Sequence, residues 1–261
     1  MLKGLLKKDF WLIKTYMLVW LCAVVVIYAA GAGFASYHDQ FHLVFPFLMM
    51  LYMGHIVMLP TAAWILLKAE EKGQYWLHGT AGGKKLLLSK MMISFFVTMT
   101  SLFVTNVLML ISLMISVPLP YFPLMENGSF PFFEGVLLNG GITLGAFYFT
   151  LWGLFLWAFY HSLTKYPVLK KIRWVIIIAM YLIIQTVIAR ITEWKMVQSF
   201  FNQWTIQVGL PESKFETYNA MSFSFTMTGG EIQVWPIVLG AIYLLILFLA
   251  AGWLLDRKVE V

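Results

Sequence analysis

Six stretches of the chain carry no Asp, Glu, Lys or Arg: Thr15–His38, Gln40–Leu67, Met91–Met125, Gly135–Thr164, Trp174–Ala189 and Ile232–Leu255. A helix of about 20 apolar residues crosses a hydrocarbon layer of roughly 30 Å, so each stretch predicts a transmembrane helix. Trp174–Ala189 is the shortest, and Arg173 and Arg190 at its ends extend it by snorkelling their guanidinium groups to the interfaces. The predicted spans are about 15–37, 43–67, 91–117, 136–160, 173–191 and 235–255. Two further patterns lie outside them. In 1–14, Leu2, Leu5, Leu6, Phe10 and Ile13 are interleaved with Lys3, Lys7, Lys8 and Lys14, which predicts a helix lying in the inner interface and leading into the first span. A plain basic anchor is the alternative. In 192–231, Trp194, Val197, Phe200, Phe201, Trp204 and Val208 recur every three or four residues, with Gln198, Asn202, Gln203 and Thr205 between them. This predicts an amphipathic helix before the last span, stopped at Gly209-Leu210-Pro211.

Composition agrees with this reading and narrows it. The chain of 261 residues is 61% hydrophobic and 11% charged, with mean hydropathy +0.81, whereas a soluble domain carries about 25% charged residues. The fold class expected is an all-α integral membrane protein forming a single transmembrane domain over 1–261. The net charge of +6 suggests a basic surface, and here it is assigned to anionic membrane lipid rather than to nucleic acid. With the N-terminus inside, 15 of the 18 basic residues fall on the cytoplasmic side and only Arg190, Lys195 and Lys214 fall outside. Both termini are therefore expected in the cytoplasm of a multi-pass plasma-membrane protein. The single cysteine, Cys22, permits no disulfide framework.

The search for catalytic chemistry returns little. Gly82-Gly83-Lys84-Lys85 resembles the end of a phosphate-binding loop, but His78 stands where the first glycine belongs and Lys85 replaces the hydroxyl residue. No zinc-protease or nucleophile-elbow motif is present. His38 and His42 are spaced as a metal pair, with Asp39 between them and no third ligand of comparable quality. No acidic or basic residue falls in the middle of a span, which argues against proton or sodium coupling through a buried carboxylate. Asn106, Asn139 and Gln185 lie within spans, where such groups either link helices or line a polar pathway. No catalytic, cofactor-binding or metal-binding residue is assigned.

The segment 69–90, AEEKGQYWLHGTAGGKKLLLSK, is the longest charged, glycine-containing interruption on the basic side. It is too short to fold alone and suits a short helix offered to a partner. Six spans, both ends inside, a basic N-terminal helix, a helix before the last span, and a first loop reading Glu70-Glu71-Lys72-Gly73 then Trp76-Leu77 then Lys84-Lys85 together resemble a membrane subunit of an ABC-2 type ATP-binding-cassette transporter. Gly79-Thr80-Ala81-Gly82 stands where that family's loop has a Leu-Pro and a small residue, so the chain would be a divergent member. The resemblance implies that Glu70, Glu71, Lys72, Gly73, Tyr75 and Trp76 couple to a separate ATPase subunit, which holds ATP and Mg2+. It also implies a second permease, identical or a sister, and outward movement of an amphipathic or hydrophobic substrate such as a peptide antibiotic, a toxin peptide or a lipid-like molecule. The chain itself would be no enzyme. Trp194, Phe200, Phe201 and Trp204 would form an outer gate helix. The alternatives are a non-transporting membrane partner of an ATPase or sensor complex and, third, an intramembrane enzyme.

Overall fold

The computed structural model describes residues 2–73, 82–116, 132–163, 167–216 and 222–257. Its elements are α1 (Leu2–Tyr37), a 3-10 turn (Phe41–Leu43), α2 (Val44–Gly73), α3 (Gly83–Ser116), α4 (Phe132–Ser162), α5 (Pro167–Thr192), α6 (Lys195–Phe201), β1 (Thr205–Glu216), β2 (Ser222–Gln233) and α7 (Val234–Arg257). Six of these helices, α1 to α5 and α7, are long and apolar enough to cross a membrane. The protein is an α-helical, multi-pass membrane protein.

α2 is the central helix. Its buried positions Met58, Leu59, Ala62, Ala63, Leu66 and Leu67 follow the three- and four-residue spacing of a helix face. Met58, Ala62 and Leu66 pack with Ile13 of α1 and Ile93 and Val97 of α3. Towards one end of the bundle Leu67 joins Leu87 of α3, Leu151, Leu154 and Trp157 of α4, and Ala251 and Leu255 of α7. At the other end Val24 and Ala35 of α1 meet Leu43, Val44, Leu48 and Leu51. α5 is peripheral and touches mainly α4, through Trp152–Tyr181 and Tyr160–Trp174 ring contacts. Its remaining surface is apolar and exposed, with Val175 at 67% and Ile183 at 63%, as lipid requires.

Contacts between helix ends fix the direction of each helix. Lys8 and Asp9 of α1 meet Glu70 of α2 and Lys90 of α3. Glu71 meets His161 of α4 at 3.5 Å, Arg173 of α5 lies over Tyr160 of α4 at 3.9 Å, and Asp256 of α7 accepts from the Gly83 amide. The six long helices therefore alternate in direction, and Leu2 and Arg257 lie at the same end of the bundle.

One expectation is refined and one corrected. The helix expected over 1–14, lying in the inner interface and leading into the first span, is continuous with that span, and residues 2–37 form one uninterrupted helix. No proline interrupts it, and fully buried Asp9 and Ile13 hold its first turns against α2 and α3. At 1.5 Å per residue, 36 residues extend about 54 Å, far beyond the hydrocarbon layer. The amphipathic helix read through Val208 stops at Phe201, and Thr205–Glu216 pairs antiparallel with Ser222–Gln233, from Thr205↔Gln233 to Glu216↔Ser222. The six spanning helices keep the membrane body all-α, and this two-stranded pairing precedes the last of them. Beyond Trp204 the period changes from 3.6 to 2: Ile206 and Val208 alternate with Thr205 and Gln207, and Phe223 and Phe225 with Ser222, Ser224 and Thr226.

Glycine matters at two close approaches. A Cβ on Gly83 would lie 2.7 Å from the Leu255 Cβ, and one on Gly31 would lie 2.8 Å from Phe47. Gly83→Ala is expected to force α3 from α7 and to cost about 1–3 kcal/mol of stability, read as an earlier midpoint in denaturant unfolding; an unchanged midpoint would contradict the packing.

Candidate functional site

The roots of the first loop are joined by buried charges. Glu70 continues the inward face of α2 one turn beyond Leu66, Asp9 lies one turn before Ile13 on α1, and Lys90 lies one turn beyond Leu86 on α3. Helical periodicity thus turns all three charged side chains into the bundle, and all three are fully buried. The Lys90 ammonium bridges Asp9 Oδ1 and Glu70 Oε1, the latter at 2.8 Å. Ser89 Oγ donates to Asp9 Oδ2 at 2.6 Å. Lys8, one-third exposed, also donates to Glu70 Oε1, while Glu70 Oε2 is buried without a hydrogen-bond partner among the described residues. Two lysines and two carboxylates balance, as buried charge requires.

Three cation–aromatic pairs mark the depth of this cluster. Lys14 lies 4.0 Å from the Trp11 ring, Lys68 lies 5.6 Å from Trp64, and Arg173 lies 3.9 Å from Tyr160. Aromatic and basic residues of this kind gather at a headgroup boundary. Asp9 and Glu70 fall on the far side of that girdle from the apolar spans, so the cluster sits at or beyond headgroup level rather than in hydrocarbon.

Each residue singled out from the sequence has a definite place. Glu70, Glu71, Lys72 and Gly73 form the last turn of α2 rather than a separate helix. Glu70 is turned into the cluster, whereas Glu71 is half exposed beside His161 and Lys72 is exposed. Tyr75 and Trp76 lie outside the described residues. Gly82 and Gly83 begin α3, where the Asp256 carboxylate of α7 caps the Gly83 amide and replaces a local N-cap. Sequence reading missed Asp9, Lys90 and Ser89. The available signal was an acidic residue in a basic segment, spaced i, i+4 from an apolar one.

The polar residues of the spans link helices. Asn106 of α3 and Asn139 of α4 exchange amide hydrogen bonds of 3.0 and 3.2 Å, and Tyr52 of α2 donates to Asn106 at 2.6 Å. Gln185 of α5 donates to the Tyr148 hydroxyl of α4. His55, fully buried, contacts the Leu51 carbonyl through Nδ1 at 2.7 Å and Ser101 Oγ through Nε2 at 2.9 Å. The carbonyl only accepts, so Nδ1 carries a proton. Tyr16 donates to Thr61 at 2.7 Å, beside the break that Pro60 makes in the α2 ladder. Asn106→Leu is expected to lower stability by about 1–2 kcal/mol, because it removes one bond from Tyr52 and two from Asn139; no loss on unfolding in mixed micelles would contradict the linking role.

At the opposite end, α6 holds Phe200 and Phe201, Trp194 precedes it, and Trp204 follows it. Phe200 and Trp204 pack on Trp235 of α7 at 4.6 and 5.9 Å between ring centroids. A cavity of about 360 Å³ beside them is lined by Thr192, Gln198, Phe201, Asn202, Gln233 and Pro236. Arg190 pairs with Glu193 at 3.3 Å, both well exposed. Arg190→Gln is expected to leave the unfolding midpoint in mixed micelles unchanged, since such a pair contributes at most a few tenths of a kcal/mol.

The chain is 26% identical over 261 positions to the uncharacterized protein YhcE of Bacillus subtilis (strain 168), with 99% of this chain and 98% of that protein covered. No family model matches it. No solved structure matches it.

Proposed function

We propose that the chain is the membrane permease subunit of an ABC-2 type exporter, with its basic face in the cytoplasm and the segment between Gly73 and Gly82 docked on an ATPase subunit. The observation that carries this reading is the buried cluster Asp9–Lys90–Glu70. It joins the two roots of the loop through Lys90 and ties both to a third helix. A loop mounted this stiffly transmits displacement into the spans as a lever instead of absorbing it. The Gly83–Asp256 cap and the close approach of Gly252 to Lys84 extend the mounting to α7.

ATP and Mg2+ are held by the ATPase, which does the hydrolysis. The permease pairs with a second copy or a sister permease. The substrate class supported by the aromatic cluster at the outer end is amphipathic or hydrophobic, moved outward. A photo-crosslinking amino acid at position 76, activated in native membranes, tests the docking. The expected adduct is an ATP-binding-cassette ATPase identified by mass spectrometry. An adduct with a kinase or receptor instead would favour the reading as a sensor partner, and adducts with lipid alone would remove the docking surface.

A further inference from the structure

The two carboxylates of the buried cluster are gripped in different ways. Asp9 is held through both oxygens from α3, by Lys90 on Oδ1 and Ser89 on Oδ2. Glu70 is held through one oxygen only: Lys8 and Lys90 both donate to Oε1, and Oε2 is left buried and without a hydrogen-bond partner among the described residues. A carboxylate fixed at two points resists rotation and translation relative to its donors, whereas one fixed at a single oxygen turns about it.

The rest of the α1 interface offers little such direction. It is built from Ile13, Val24 and Ala35 with Phe10, Tyr16, Met17 and Trp20 packed around them, and apolar contact of this kind is non-directional. The Tyr16–Thr61 and Tyr28–Ser112 hydroxyl contacts lie farther along the bundle.

We infer that Asp9 is a positioning residue that fastens α1 to α3, so that the two move as one body while the last turns of α2 pivot at Glu70. This inference rests on the coupling role proposed above and names how the handle divides. A displacement at the α3 root of the loop reaches α1 through Asp9, although the two helices share no sequence neighbourhood. The end of α2 directly before the loop, beyond the Tyr52–Asn106 and His55–Ser101 bonds that hold its middle to α3, is the part that turns.

The experiment uses spin labels on exposed lysine positions in a Cys22→Ser background, because Cys22 is exposed and would itself be labelled. One pair, Lys7→Cys with Lys85→Cys, reads α1 against α3; the other, Lys7→Cys with Lys72→Cys, reads α1 against α2. All three positions are exposed. In the chain alone, reconstituted in nanodiscs, the 7–85 distance distribution is expected to be the narrower of the two. Asp9→Asn, which removes the ion pair with Lys90 and the second carboxylate oxygen, is expected to broaden it, and Ser89→Ala to broaden it less.

In the complex with its ATPase, addition of ATP, Mg2+ and vanadate is expected to shift the 7–72 distance and leave 7–85 unchanged. A 7–85 distribution that stays narrow in both variants overturns the joint, as does a nucleotide-dependent shift of 7–85. Ser89→Ala carries the test if Asp9→Asn does not insert. A chain that purifies without an ATPase removes the coupling role, and the variant series in the chain alone then decides the joint by itself.

Discussion

Lys90→Gln is expected to lose more stability than any other single substitution at a buried polar position. The ammonium is fully buried and is the bridge between Asp9 and Glu70. Its removal leaves the Asp9 carboxylate with Ser89 alone and the Glu70 carboxylate with Lys8 alone. Breaking a buried pair by deleting one partner costs about 3–5 kcal/mol, mostly from the uncompensated charge left behind. The cluster lies at headgroup level, where water reaches it more readily than in hydrocarbon, so the lower end of that range is expected. The measurement is unfolding in mixed micelles at increasing sodium dodecyl sulfate. Adding Asp9→Asn to Lys90→Gln removes one of the stranded charges and is expected to recover part of the loss, with a coupling of about 1–3 kcal/mol. Simple additivity of the two, or a Lys90→Gln midpoint equal to that of the native chain, would contradict the network.

Trp76→Ala is expected to show the opposite profile. The residue lies between Gly73 and Gly82, the segment proposed above to dock on an ATPase subunit. Truncating an aromatic anchor at a protein–protein interface costs about 2–4 kcal/mol of binding, which is roughly 30- to 1,000-fold in affinity. The variant is therefore expected to insert, to unfold at the native detergent concentration, and to lose its ATPase from the purified complex. Glu70→Gln reverses the emphasis. It leaves Lys90 with one charged partner instead of two, so its first effect falls on stability. A Trp76→Ala chain that retains its ATPase, or a Glu70→Gln chain that unfolds like the native one while losing the partner, would reassign the two residues.

Much of the architecture was legible because the membrane makes hydrophobicity nearly equivalent to structure. The runs from Thr15, Gln40, Met91, Gly135, Trp174 and Ile232 each became a long helix, and lipid imposes that outcome by leaving no other partner for backbone amides. What was not legible lies where the membrane stops dictating. The helices run past the bilayer at their basic ends, so Lys8, Asp9, Glu70 and Lys90 sit in helical turns that hydropathy had assigned to interface or loop. Their pairing brings together residues 20 to 81 positions apart in the chain, and no local pattern in one sequence encodes it.

Glu70 shows the difference most clearly. As part of a charged run it reads as a surface contact, but its helical phase with Leu66 and Leu67 turns it inward. At the opposite end, the spacing of Trp194, Val197, Phe200 and Phe201 gives a real but short helix. Extending the same period through Trp204 and Val208 ignored the alternation that starts at Thr205. The β1–β2 pairing was readable from Ser222 to Thr226, where polar and aromatic residues alternate, once period 2 is tested beside period 3.6.

The central claim is that this membrane body is driven by a separate ATPase seated on its basic face. Affinity capture of the tagged chain from native membranes in mild detergent, followed by mass spectrometry of its partners and an ATP hydrolysis assay of the eluate, tests that claim most directly. The account predicts an ATP-binding-cassette ATPase in the eluate, with hydrolysis that falls away when Trp76→Ala is used as bait. A chain recovered alone, or with partners that hydrolyse no ATP, would contradict it.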